Sequence, residues 1–279
     1  MEVESKGNIN KTYLSEDKEF GEVFCKLVSN PNRSIYEFQN LLARVVGGKF
    51  NVNKYLCTNI KSNNEFELVF EKIENKTWVI NEESMYIIGK SMAVLHRLAK
   101  EEQSNIHIPI KNEKYDSMEK WNFIANSTLS QPAFKLRREI FKQLKPFNLN
   151  QPKIPVHRDF KPHNIMFDGS KYWLIDFDFA AVDFACLEVM SFVVDIIGTN
   201  HNNIKAFIKG YKTIDNGIDF KTMVNDYLVY LCVNTFPFYM KDSLSETGFK
   251  NLLNNRNNSL SDLWSIKETI NNILNDESN

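Results

Sequence analysis

The sequence predicts an α+β fold, with a small antiparallel β-rich N-terminal lobe and a larger, mainly helical C-terminal lobe. Three observations predict it. β-prone runs separated by Asn-, Gly- and Lys-rich turns dominate residues 1–73. After Trp78 the apolar residues recur at helical spacing instead. In the middle of the chain two short β-prone runs flank Asp168-Gly169, a strong hairpin signal. The expected division is therefore residues 1–73 for the first lobe and 74–279 for the second.

Each element has its own warrant. Lys11 to Leu14, Glu22 to Val28, Lys49 to Leu56 and Glu65 to Ile73 are the expected strands. One helix interrupts them: Asn30-Pro31-Asn32 makes a turn, and Ser34 with Glu37 has capping-box spacing before Phe38, Leu41, Leu42 and Val45. Ile88, Met92, Leu95 and Leu98 form one helical stripe, and Phe220, Met223, Val224, Tyr227 and Leu231 form another. The apolar run from Phe184 to Ile197 is broken by Glu188 and Asp195, which predicts a buried helix of a soluble protein. The Asn-rich tail from Asn251 carries Leu252, Leu253, Leu260, Leu263, Trp264, Ile270 and Leu274, so docked helices with a frayed end are expected.

Composition excludes several classes. The chain has 279 residues, 43% hydrophobic and 25% charged, an ordinary globular balance. A net charge of -1 supplies no broad basic field, so nucleic acid is not an expected partner. Met1-Glu2-Val3-Glu4 is acidic, unlike a signal peptide, and no uncharged run reaches the ~18 residues of a spanning helix. Cys25, Cys57, Cys186 and Cys232 lie far apart in apolar surroundings and read as reduced core residues. A cytoplasmic setting without membrane contact is the expectation.

One segment carries chemistry. It runs His157-Arg158-Asp159-Phe160-Lys161-Pro162-His163-Asn164, then the hairpin, then Asp176-Phe177-Asp178. A hairpin brings its open ends together, so Asn164 entering it and Asp176 leaving it should share one ion. An amide oxygen and a carboxylate are hard donors suited to Mg²⁺ that takes phosphate oxygens as further ligands. Asp159, on the loop feeding the same point, supplies an acceptor for a hydroxyl proton. His-x-Asp-x-x-x-x-Asn followed by Asp-Phe-x is the catalytic and metal-binding layout of kinases.

With this motif the chain resembles the aminoglycoside phosphotransferase and choline kinase family, small-molecule kinases with a bilobal protein-kinase-like fold. Gly7-Asn8-Ile9-Asn10-Lys11-Thr12-Tyr13 is similar to the family's nucleotide-covering loop, Met92 to Leu98 to its helix after the hinge, and Phe207 to Tyr211 to a later helix end. The resemblance implies ATP and Mg²⁺ as cofactors and a small hydroxylated acceptor as partner. By motif position, Asp159 would orient the acceptor hydroxyl and take its proton late, since a carboxylate with pKa of about 4 is a poor base towards an alcohol. Asn164 and Asp176 would hold Mg²⁺, with Asp178 assisting a second ion. Lys26 would contact the α/β-phosphates, and Glu37 on the following helix would pair with it. Gly7 would help cover the phosphates. The backbone from Glu71 to Ile73 would receive adenine, and His157 would support the loop. A monomer or homodimer is expected.

A protein substrate is not expected. Asp178 is followed at once by Phe179-Ala180-Ala181-Val182-Asp183 and an apolar helix, without the activation segment of about 20–30 residues ending in Ala-Pro-Glu. Several alternatives stand beside these assignments. Glu37 also reads as the capping-box partner of Ser34, and Lys26 as an edge lysine. His157, Asp159 and His163 make a weak transition-metal pattern. Gly89-Lys90-Ser91 mimics the end of a P-loop, but Ser84 stands where the earlier glycine is required. For the acceptor, Asp183, Glu188, Asp195 and Asp226 would suit an aminoglycoside, whereas Trp121, Tyr227, Tyr230 and Phe236 would suit a choline-like cation. The rival to an enzyme is a non-catalytic nucleotide-binding or coat-type member of the same fold.

Overall fold

In the computed structural model the residues described are 11–62, 64–110, 144–196, 198–241, 267–273 and 275, with side chains of the long last helix described to Tyr230. The chain divides into two compact units: Met1–Ile110 with Ile154–Val182 and Asn202–Asn216, and Lys111–Lys153 with Asp183–His201 and Gly217–Asn279.

The first unit opens with β1 (Lys11–Asp17) and β2 (Gly21–Val28), followed by α1 (Arg33–Val45). β3 (Phe50–Val52), β4 (Tyr55–Ser62) and β5 (Glu65–Glu71) come next. The expected antiparallel sheet is present, in the order β1-β2-β5-β4. Alternation along β2 sends Val23 and Cys25 to one face, where they pack with Val69 and the partly buried Tyr13, Leu56 and Cys57. Lys26, one residue out of phase, faces the other way and is itself buried.

The run Lys49 to Leu56, expected as one strand, is two. Lys54 N–H donates to the Glu71 carboxylate (2.7 Å) and Lys54 O accepts from Glu71 N–H (3.0 Å), which starts β4 beside β5. β3 instead pairs in parallel with β8 (Tyr172–Leu174), which is paired with β7 (Ile165–Phe167). Phe50 stacks on Phe160 at 6.0 Å between centroids, both almost wholly buried. Such a pair contributes about 0.5–1.5 kcal/mol beyond its buried area. It fixes the residue next to Asp159 against the sheet.

The hairpin forms as expected. Gly169 has φ +100, a conformation that L side chains rarely adopt. Asp168 closes the turn, its carboxylate accepting from Ser170 N–H and Oγ–H, Lys171 N–H and Trp173 Nε1–H. Partial burial opposes its charge, and these donors overcome that and hold its carboxyl well below the usual range. The linker after β5 is laid along β7: Lys76 N–H donates to Phe167 O, Phe167 N–H to Asn75 Oδ1, and Trp78 Nε1–H to Ile165 O.

α2 (Glu82–Glu101) begins at a capping box between Asn81 and Ser84 and buries Ile88, Met92 and Leu95 of the expected stripe. Gly89 and Gly210 explain the P-loop mimic. A Cβ at Gly89 would lie 2.1 Å from Phe207 O, and one at Gly210 would lie 2.2 Å from Tyr86 O. Gly89 is there so that α2 and α4 (His201–Lys212) can approach backbone to backbone. His96 Nδ1 and Tyr211 Oη, 2.8 Å apart and buried, join the same two helices.

In the second unit α3 (Ala185–Asp195) carries the apolar run and packs with α5 (Phe220–Lys241). Phe220, Met223, Val224 and Tyr227 are buried as expected. Asp226 is fully buried and accepts from Asn148 N–H and Gln151 Nε2–H, tying that segment to α5. Residues 267–273 are helical, with Ile270 and Ile273 buried. Leu231, Cys232, Trp121, Phe236 and most of the Asn-rich tail lie outside the described side chains.

Candidate active site

β6 (Lys153–Val156) delivers the chain to His157. Asp159 N–H donates to His157 Nδ1 at 3.2 Å, which leaves the ring proton on Nε2, 2.8 Å from Ile175 O. The ring also lies 4.4 Å from Phe177 in an edge contact. Both nitrogens are engaged in bracing the loop, and the transition-metal pattern is not assembled. Among the described residues no group of three His, Cys, Asp or Glu side chains stands ready to hold a metal by itself.

Arg158 and Asp176 both have left-handed backbone, φ 66 and 63, in a chain where only Asn30 among other described non-glycine residues does. Such conformations cost on the order of 1–3 kcal/mol and persist where the surroundings over-determine them. One flanks Asp159, the other is the expected metal ligand itself.

Asn164 and Asp176 stand at the open end of the hairpin, closed by Ile175 N–H donating to Asn164 O at 3.0 Å. The Asn164 amide donates to Asp159 O (2.9 Å) and Oδ2 (2.8 Å), so its own oxygen is turned away from Asp159. Lys161 Nζ lies 3.5 Å from Asp159 Oδ1 and His163 Nε2 lies 3.8 Å from Oδ2. Lys161 is a cation at the acceptor carboxylate that motif reasoning passed over, although it sits two residues after Asp159.

Lys26 reaches the same point from β2. Its ammonium lies 2.8 Å from Asp176 Oδ1 and 2.5 Å from Asp178 Oδ2. Burial opposes its charge, and the two carboxylates overcome that and hold its pKa above the ordinary lysine range. The ammonium also tests whether a cation fits between the carboxylates: it does. Two carboxylates and an amide oxygen form a hard-oxygen set suited to Mg²⁺ with phosphate and water completing the shell.

Glu37 is a correction. It does not meet Lys26; its carboxylate pairs with Arg33 at 3.0 Å on the exposed face of α1. Nor is it a capping-box partner, because the N-cap is Asn32, whose side chain accepts from Ser34 N–H. The buried face of α1 carries Ile35, Tyr36, Phe38 and Leu42. The Tyr36 hydroxyl donates to Asp178 Oδ1 at 3.4 Å, and the Phe38 ring packs on Phe177 at 6.1 Å.

The hinge is altered in detail. Glu71 has its N–H and its carboxylate engaged by Lys54, so that amide does not face a nucleotide base, while Ile73 is half-buried on the following linker. Gly7 lies outside the described residues. Of the acids expected for an acceptor cleft, Asp183, Glu188 and Asp226 are buried. Tyr227 is buried too, its ring 6.2 Å from that of Tyr230.

The chain resembles known proteins at two levels. A family model described as "Phosphotransferase enzyme family" (APH) matches residues 2–216. No curated protein sequence matches. Among solved structures, amicoumacin kinase hAmiN, in complex with AMP-PNP and Ca²⁺, superposes with TM-score 0.64 at 12% identity, covering 93% of this chain and 87% of that one. An aminoglycoside phosphotransferase from Alicyclobacillus acidocaldarius gives 0.59 at 11%, covering 97% and 92%. Choline kinase LicA from Streptococcus pneumoniae gives 0.57 at 13%, covering 95% and 92%. Likeness at such identities establishes the protein-kinase-like fold expected from the sequence. Because the family match runs through β2, the Asp159 loop, the hairpin and Asp178, the chain belongs to the phosphotransferase enzyme family.

Proposed function

We propose that the protein is an ATP- and Mg²⁺-dependent kinase that moves the γ-phosphoryl group to a hydroxyl of a small polar, amine-containing acceptor, aminoglycoside-like or choline-like. The observation that carries this reading is the convergence of Lys26, Asp159, Asn164, Asp176 and Asp178 within one compact unit. Residues 1–73 would form the nucleotide lobe and 74–279 the catalytic and acceptor lobe, in a cytoplasmic monomer or homodimer.

The chemistry follows from the side chains. Asp159 accepts a hydrogen bond from the acceptor hydroxyl and holds its oxygen in line with the γ-phosphorus. That oxygen forms the new P–O bond as the bond to the β–γ bridging oxygen breaks, and the proton passes late to Asp159. Lys161 offers a positive charge beside the transferring group, and Lys26 offers one to the remaining phosphates. Asn164, Asp176 and Asp178 would hold Mg²⁺, which when bound would neutralise charge on the phosphate oxygens.

Asp159→Ala should lower turnover by about 10²–10⁴ while leaving nucleotide affinity largely intact. Coupled ADP release across a panel of aminoglycosides, choline, ethanolamine and other hydroxylated amines measures it; unchanged turnover in the variant would remove this reading. A second reading, a non-catalytic nucleotide-binding or coat-type member of the fold, draws on one observation: Glu37 does not pair with Lys26. MgATP binding without acceptor-stimulated ADP release anywhere in the panel would favour it.

A further inference from the structure

α1 meets the metal turn without its acid. Tyr36 and Phe38, the neighbours of Glu37 on either side, make the contacts, to Asp178 and Phe177 respectively. Tyr36 is 4% exposed and its ring is held at 5.1 Å from Tyr55 and 6.0 Å from Phe70. A ring so confined has little freedom in where it places its hydroxyl. The two oxygens of Asp178 are thereby divided: Oδ1 accepts from Tyr36 and Oδ2 faces the Lys26 ammonium, beside Asp176.

Resting on the kinase reading above, we propose that Tyr36 is the residue through which α1 positions the metal site, orienting Asp178 so that Oδ2 is presented beside Asp176. The usual arrangement for a kinase helix is an acid that pairs with the lysine. A phenol does a different job. It is neutral, so it adds no competing charge to a site that already holds two carboxylates, and it orients a carboxylate rather than an ammonium. A phenol, with an ordinary pKa of about 10, is protonated and a donor through the physiological range. Removing it takes away the hydrogen bond that holds Asp178 Oδ1, and an incoming divalent ion then has to reorder the carboxylate.

The test uses the full chain, Mn²⁺ as probe and AMP-PNP as nucleotide, with bound Mn²⁺ read by electron paramagnetic resonance and unfolding read separately without ligand. Tyr36→Phe keeps the ring and deletes the hydroxyl. Its half-saturating Mn²⁺ should rise about three- to tenfold, the loss expected for a hydrogen bond of ordinary rather than charge-assisted strength at a 3.4 Å separation, with ligand-free Tm unchanged. Tyr55→Phe, whose hydroxyl meets Thr58 instead, makes the same atomic change nearby and should leave Mn²⁺ binding as in the wild type. Glu37→Gln should do likewise. Wild-type Mn²⁺ binding in Tyr36→Phe, or an equal loss in Tyr55→Phe, overturns the inference alone. A wild-type protein with no nucleotide-linked Mn²⁺ binding overturns the kinase reading and this inference with it.

Discussion

Lys26 is the residue on which the site's electrostatics turn. A lysine that is 8% exposed keeps its charge here because two carboxylates, Asp176 and Asp178, lie within 2.8 Å. Those are the same oxygens that a divalent cation would need, so under the proposed function ammonium and metal would compete for one place, and phosphate arriving with the metal would give Lys26 a new partner. The two affinities should therefore move in opposite directions in Lys26→Met. Mn²⁺ binding to the nucleotide-free protein should tighten about tenfold, the equivalent of 1.4 kcal/mol, as two carboxylates lose their counter-charge. MgATP binding should weaken by at least about tenfold, since a charge-assisted contact to phosphate is lost. Titration calorimetry measures both, and a loss in both would contradict the competition. His157 shows the complementary case: motif spacing marks it, and its ring is wholly occupied with Asp159 N–H and Ile175 O in support of the loop.

Elements place these residues with differing legibility. The hairpin was readable because its signals are local: Asp-Gly at the turn and β-prone runs on both sides. From it followed the meeting of Asn164 and Asp176, without any tertiary knowledge. β3 was read as one strand with the start of β4; its own pairing was not readable, because its partner β8 begins more than a hundred residues later and parallel pairing leaves no local mark. Glu37 failed for a subtler reason. Its role came from the family resemblance alone, whereas at about 100° per residue Glu37 falls opposite the face on which α1 buries Ile35, Phe38 and Leu42. Tyr36 carries no motif of its own to mark it. The α2–α4 crossing makes a prediction at this scale. Gly89→Ala sets a methyl 2.1 Å from a backbone oxygen, so the crossing must open. The expected net loss is about 1–3 kcal/mol of stability, despite alanine's helix preference. Gly47→Ala, with nothing within 4 Å of the added atom, should change stability by less than about 0.5 kcal/mol. Urea unfolding at constant m-value checks both, and equal midpoints would contradict the close approach.

At the scale of the whole molecule, Lys26, Asp159, Asn164, Asp176 and Asp178 all fall in the first compact unit, which is assembled from three separate stretches of the chain. β2, the Asp159 loop and the Asp176–Asp178 turn, far apart in sequence, thus share one packed environment that includes the stacked pair Phe50–Phe160 and the edge contact Phe38–Phe177. Fold and phosphoryl chemistry were legible from one motif, because metal and proton-acceptor geometry constrains spacing. The acceptor was not, because three of the four acids offered for it, Asp183, Glu188 and Asp226, proved to be interior residues: Asp226 braces the segment around Asn148 rather than facing a cleft. Among the described residues no helix is long and apolar enough to cross a membrane. The central claim is that Lys26, Asn164, Asp176 and Asp178 make one metal-dependent nucleotide site. Calorimetric titration of AMP-PNP into wild type and Asp176→Asn, with and without Mg²⁺, tests it most directly. Mg²⁺ should tighten wild-type binding by at least about tenfold, and this enhancement should disappear in the variant. Binding that is indifferent to Mg²⁺ in the wild type, or an enhancement that survives in Asp176→Asn, would contradict it.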